Sequence, residues 1–222
     1  MVKVPDKILL FHFTAIQNLD SILSCGYLKS NNMLSKENIQ YTNIAYANIQ
    51  HKRHVRIVPN TNTTLHDYVP FMFAPRSPML YTINQGNVVE AEENNQEHLV
   101  YLVTNFDAVK DLDYVFTNYH AILEYAEFYT NSQDLDKIQW HLFFEPPLLG
   151  GYCKIFMNNL SNPKYAKRKE ARQAEFLIRD SINIEKILYI AVFNLTAKQV
   201  VEEKLRSLEL NIDVQIKKEW YF

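Results

Sequence analysis

A chain of 222 residues with 47% hydrophobic and 22% charged residues has the composition to bury a core, which excludes a disordered polymer. Its formal charge of −2 excludes nucleic-acid binding by overall basicity, so any such binding must rest on local patches. Four glycines, none in a GxGxxG or P-loop arrangement, exclude a glycine-rich phosphate cradle, and two distant cysteines, Cys25 and Cys153, exclude a disulfide framework. The first apolar run is too short for a signal peptide or a membrane span, and the expectation is a soluble cytoplasmic protein.

In chain order, ILLFHFT over 8–14 reads as an apolar strand. Thr14 is placed to cap a helix over AIQNLDSILSCG, with Ile16, Leu19, Ile22 and Leu23 at helical spacing and Gly26 as the stop. Residues 41–58 read as a short helix ending in the cationic stretch HKRHVR, and NTNTT over 60–64 as a polar turn. DYVPFMFAPRSPMLYTI, 67–83, predicts a strand, a turn at Pro75–Pro78 and a short helix from about Ser77. A polar loop over 85–97 precedes the strand HLVYLVTN, the short helix FDAVKDLD and the strand YVFT; HAILEYAEFYT, 120–130, is helical in pattern.

Residues 145–162 carry Pro and Gly pairs without a period and read as a long loop. PKYAKRKEARQ, 163–173, reads as a helix, AEFLIRD as a strand, and ILYIAVFN as a strand covered on both faces. An amphipathic helix over 196–210 presents Ala197, Val200, Val201, Leu205 and Leu208 on one side, and IDVQIKKEWYF closes as an alternating strand. Strands and short helices mix without regular alternation, which points to α+β in one domain, 1–222.

Glu175 stands where the apolar strand begins, behind the cations Lys164, Lys167, Arg168, Lys169 and Arg172. It is either a strand residue paired with Arg172 or Arg179, or a carboxylate at a cleft poised to stabilise a developing cation. Arg53 and Arg56 share a helix face and fit either a phosphate clamp or a solvated basic helix end. His51 and His54 have no third ligand at motif spacing, so no metal is expected. For His12 and His120 a core hydrogen bond is the commoner outcome.

Taken in order, HFTAIQNLDSIL, YTNIAYANIQHKRH, LHDYVPFMFAPRSPMLY and RQAEFLI closely resemble DarT, the DNA ADP-ribosyltransferase toxin family. The matching blocks run from about His12 to Phe176, with the final strands through Trp220 and Tyr221 also alignable. The resemblance implies an ADP-ribosyltransferase fold, a split and bent β core with surrounding helices. It implies NAD as a co-substrate and no metal. The acceptor is a base in single-stranded DNA, typically thymine, and the partner is a DarG-type macrodomain antitoxin on a separate chain.

Carried over by position, the resemblance makes Glu175, Arg53 and His120 catalytic, and assigns His12, Thr14, Asn18, Tyr46 and Arg53 to NAD, with Arg56 as the alternative arginine. Arg76 falls in the most recognisable block without a stated role. Two departures stand out: Ala45 where many relatives have Gly, and the loop 145–162, which by the resemblance reads the target. That loop keeps guanine, RNA or protein open as acceptors, and a non-catalytic single-stranded nucleic-acid-binding module on the same scaffold is the further alternative. Tyr68, Phe71, Phe73 or Tyr152 could stack bases.

Overall fold

The computed structural model describes residues 3–86, 95–144 and 157–222. In chain order the elements are β1 (Leu9–Ala15), α1 (Leu19–Cys25), β2 (Tyr27–Lys29), α2 (Asn31–Lys36), α3 (Ala47–Val55), β3 (Tyr68–Met72), α4 (Pro78–Asn84), β4 (Leu99–Asn105), α5 (Phe106–Val109), β5 (Tyr114–Thr117), β6 (Phe128–Tyr129), α6 (Trp140–Phe144), α7 (Arg168–Ala171), β7 (Glu175–Arg179), β8 (Ser181–Asn183), β9 (Tyr189–Val192), α8 (Leu195–Ser207) and β10 (Asp213–Ile216). This is the expected α+β class. No helix among the described residues is long and apolar enough to cross a membrane.

Eight strands form one sheet in the order β10-β9-β4-β1-β3-β7-β5-β6, while β2 and β8 pair separately. All neighbours are antiparallel except β9 and β10. Side chains alternate between the two faces as a period of two requires. Leu10, Leu102 and Ile190 enter one core cluster, and their neighbours Phe11, Tyr101 and Ala191 enter the other. The run over β9 is buried on both faces, as its continuous apolar sequence predicts.

The sheet is split in its middle. β1 pairs with β4 along its whole length, and β3 pairs with β7 along its whole length, but β1 and β3 share a single bridge, Phe11 to Met72. Pro70 lies beside the split. Having no N–H, it could not have continued a ladder there. Its carbonyl instead accepts from His12 Nδ1 at 2.8 Å.

Several local expectations are corrected. Residues 120–130 are not a helix but a run of turns leading into β6, because their amides are drawn to side chains: Ala121 N–H donates to Glu175 and Ile122 N–H to His120 Nδ1. The 163–173 helix breaks into a 3-10 turn at Pro163–Tyr165 and the short α7. Thr14 does not cap α1; Ala15 precedes a 3-10 turn there, and the Thr14 hydroxyl accepts from Asn18 instead. In α8 only Ala197, Val201 and Leu205 face inward, with Val200 and Leu208 exposed. The last strand stops at Ile216, before a 3-10 turn at Lys218–Trp220. β2, α2 and α6 were not anticipated. Most of the loop 145–162, with Tyr152 and Cys153, lies outside the described residues; 157–162 is irregular.

Gly26 ends α1 with φ +74°, as its sequence position predicts, and its carbonyl accepts from Ile184 N–H at 3.0 Å. A Cβ there meets nothing within 4 Å, so the cost of a side chain is conformational alone. Gly26→Ala is expected to lower stability by about 1 kcal/mol. Chemical denaturation checks this; an unchanged midpoint would mean the turn accepts a right-handed residue.

Candidate active site

The split opens a cavity of about 240 Å³. Its wall takes His12 and Thr14 from β1, Arg53 from α3, Pro70 and Met72 from β3, His120 and Glu175. Glu175 is the first residue of β7 and sits opposite Met72. Its amide donates to Thr117 Oγ1 at 3.1 Å, and that hydroxyl donates onward to the Tyr119 carbonyl at 2.6 Å. The backbone at this point is therefore held by β5 as well as β3.

Glu175 is only 3% exposed, so its charge must be answered locally. Oε2 accepts from Arg53 Nη1 at 2.8 Å, and Oε1 accepts from the Ala121 amide at 3.1 Å. His120 Nδ1 lies 3.4 Å from Oε1. Burial pushes this carboxyl up, but the Arg53 charge and the two hydrogen bonds outweigh it and hold the group below the ordinary glutamate value. Glu175 is thus a buried, ionised carboxylate. Neither cation of its own segment pairs with it: Arg172 is buried against the Leu142 carbonyl and the Phe143 ring, and Arg179 lies beside Asp113 and Asp180.

His12 and His120 are neutral. Burial holds the His120 ring below its usual value despite Glu175. Its Nδ1 accepts from the Ile122 amide at 3.3 Å, which leaves the proton on Nε2. Burial pushes His12 down to about 4, against the smaller upward pull of the Pro70 carbonyl. Because that carbonyl can only accept, Nδ1 carries the His12 proton and Nε2 is a bare acceptor.

Thr14 and Asn18 are buried in the cavity wall and linked to each other at 2.9 Å. Asn18 also clasps Thr42 from both sides, donating to its carbonyl at 3.0 Å and accepting from its amide at 2.7 Å. It thereby ties the segment before α3 to α1. Tyr46 precedes α3, is more than a third exposed, and lies outside the cavity wall.

The two candidate arginines part company. Arg53 meets Glu175, whereas Arg56 donates to the carbonyls of Leu123 and Glu124 at 3.2 and 3.4 Å and lies over the Phe128 ring. Arg76 has φ +60°, outside the usual range for a side-chain-bearing residue. It binds the Tyr221 carbonyl at 2.9 Å and covers the Phe222 ring, away from the cavity.

His54 packs against His66, and among the described residues no three metal-ligating side chains gather. In the basic run, Lys167 sits over Tyr125 and Tyr119, and Arg168 over Tyr165. Tyr68, Phe71 and Phe73 are core residues, too buried to present a face to a base.

Sequence reading missed the Ala121 amide, Thr117 and His66. A backbone donor leaves no residue-type signal. His66 lines the cavity, donates from Nε2 to Gln50 Oε1 at 3.0 Å, and is pushed down to about 4 by burial and the charge of Arg53.

A split sheet, a buried arginine-paired glutamate and neutral histidines around it are the features to compare. A model of the DarT family, described as ssDNA thymidine ADP-ribosyltransferase, matches residues 11–222. The chain belongs to the DarT family. A DNA ADP-ribosyl transferase of Thermus sp. (strain 2.9) is 32% identical over 98% of both chains. The structure of Thermus sp. 2.9 DarT in complex with ADP-ribosylated ssDNA superposes with a TM-score of 0.83 at 32% identity, covering 99% of both chains. The same protein in complex with NAD+ gives 0.78 at 29% identity, covering 99% of this chain and 100% of that one. As a DarT, the chain is an NAD-dependent DNA ADP-ribosyltransferase with the ADP-ribosyltransferase fold.

Removing the Arg53 cation leaves the Glu175 charge unanswered in a site that water barely reaches. Arg53→Ala is expected to cost about 3–5 kcal/mol at about pH 7. In the native protein the lowered carboxyl contributes stability above its unfolded pKa, lost as pH falls through the folded one. In the variant burial dominates and raises the group, so stability falls as pH rises. Urea denaturation between about pH 5 and pH 8 should show the deficit shrinking toward acid; a deficit independent of pH would discount the ion pair.

Proposed function

We propose that the cavity holds NAD with its nicotinamide ribose toward Glu175, and that the acceptor is a thymine in single-stranded DNA. The observation that carries this reading is the ionised, buried Glu175, set beside Arg53 and across the split from His12. As the C1′–N bond breaks, the bonding pair leaves with nicotinamide and C1′ becomes cationic. The Glu175 carboxylate offsets that charge and accepts from the ribose 2′-hydroxyl. Thymine N3 then bonds to C1′ and gives up its proton.

Arg53 connects binding to proton transfer. A guanidinium is suited to the dinucleotide phosphates. Its charge beside Glu175 keeps the carboxyl ionised while the C1′–N bond breaks, and the carboxylate then takes the proton that thymine N3 loses. His12 and Thr14 hold the nicotinamide end, with Nε2 of His12 as an acceptor. Asn18 acts beside them, and His120 lines the reacting end next to the carboxylate. N3 lies on the Watson–Crick edge, so a duplex hides it and a single strand offers it.

This reading takes 1–222 as one transferase domain working in the cytoplasm. The adduct on the base is a stable N-glycoside, and a DarG-type macrodomain hydrolase on a separate chain is the partner that reverses it.

Incubation with NAD and a varied set of single-stranded oligonucleotides, followed by mass spectrometry, is expected to give an ADP-ribose adduct on thymine with release of nicotinamide. Glu175→Gln is expected to lower the rate by about 10²–10³-fold or more at unchanged folding. Adducts on guanine, RNA or protein alone would reassign the acceptor. Full activity in Glu175→Gln would remove the carboxylate from the reaction.

A further inference from the structure

The segment 120–126 supplies two of the groups that face Glu175, the Ala121 amide and the His120 ring, yet it has no helix or strand to hold it. Its backbone groups are answered one by one. His120 N–H donates to the Glu170 carbonyl, and Leu123 N–H and Ala126 N–H close turns onto His120 and Leu123. Its link to the helix carrying Arg53 is made by Arg56, whose Nη2 donates to both the Leu123 and the Glu124 carbonyls. Arg53 lies in the last turn of α3 and Arg56 follows directly after its end, in extended backbone, and the two reach the same region. One meets the carboxylate and the other meets the turn that supplies the carboxylate's second donor.

We propose that Arg56 is a positioning residue: by gripping the Leu123 and Glu124 carbonyls it fixes the turn so that the Ala121 amide and His120 stay on Glu175. It does not clamp phosphate, since its Nη2 is turned to two backbone carbonyls, its Nε is buried, and it lies outside the cavity wall. The inference rests on the reading of Glu175 as the ribose-facing carboxylate. Without Arg56 the turn drifts, Oε1 loses a donor, and a displacement of about 1 Å in such a site costs about 10²-fold in rate. The Ala121 amide is also one of the groups that hold the Glu175 carboxyl down, so its loss moves that carboxyl upward.

Arg56→Met keeps the bulk over Phe128 and removes the donors. It is expected to lower kcat for nicotinamide release and DNA adduct formation by about 10²-fold with the KM for NAD unchanged. The acid limb of its kcat–pH profile should shift to higher pH. Arg56→Lys reaches one carbonyl and should fall between Arg56→Met and the parent in both readouts. A parental kcat and pH profile in Arg56→Met overturns the inference, as does a raised KM for NAD at unchanged kcat, which would make Arg56 a phosphate ligand. Should Arg56→Met not fold, Arg56→Lys decides alone: a shifted acid limb supports the role and a parental profile overturns it. Glu175→Gln measured alongside separates the two failures. Its full activity sinks the Glu175 reading, whereas its inactivity beside a parental Arg56→Met sinks this one.

Discussion

Glu175 is an anion taken out of water, and the structure around it is arranged to make that tolerable. The Arg53 and Glu175 side chains are 12% and 4% exposed, so the pair is largely desolvated. Such a pair gains little over apolar residues of similar volume, and its retention is poorly explained by stability. What it does provide is a carboxylate that is charged, fixed and close to a cavity. Three separate parts of the chain supply that condition: α3 through Arg53, the turn after β5 through Ala121, and β5 itself through Thr117 on the backbone. None of them is near Glu175 in sequence.

The split between β1 and β3 gives this carboxylate something to face. A continuous ladder would have closed the sheet and filled the space with alternating side chains. One bridge at Phe11–Met72 joins the two halves. Pro70 contributes a carbonyl there and no amide, and His12 occupies that carbonyl, which fixes the ring and its tautomer together. The same hydrogen bond thus edges the opening and leaves an acceptor nitrogen on the cavity side. Fold and chemistry meet at this point: the break that weakens the sheet is also the cleft.

How far the sequence could reveal this depended on the range of the interactions. Strands such as β4, β7 and β9 follow from apolar patterning, and α4 follows from Ser77 and Pro78, which act within one turn. The stretch 120–130 failed because its helical spacing competed with a distant acid: an amide bonded to a side chain 54 residues away cannot also bond four residues back. The choice between Arg53 and Arg56 was equally illegible, since the two stand three residues apart in one basic stretch and only the end of α3 and the placement of β7 and the 120s turn distinguish them. Arg172 and Arg179 were the local partners for Glu175, and neither is its partner in the fold. The family's ordered blocks, rather than periodicity or charge, point to Arg53 and Glu175, which the fold pairs.

The count of carboxylates in the cavity fits the leaving group. Among the described residues lining it, Glu175 is the one acid. Glycoside hydrolases place two carboxyl groups about the bond they break, one of them protonated, because an alkoxide leaving group needs a proton. Nicotinamide in NAD is bonded through a positively charged ring nitrogen and departs neutral, so a general acid would have nothing to protonate. A second, protonated carboxyl would add a desolvation cost without a role. The residual demand is a negative charge at C1′ as the cation forms, and that requires a carboxyl already ionised when the bond begins to stretch. Arg53 and the Ala121 amide keep Glu175 in that state against its own burial.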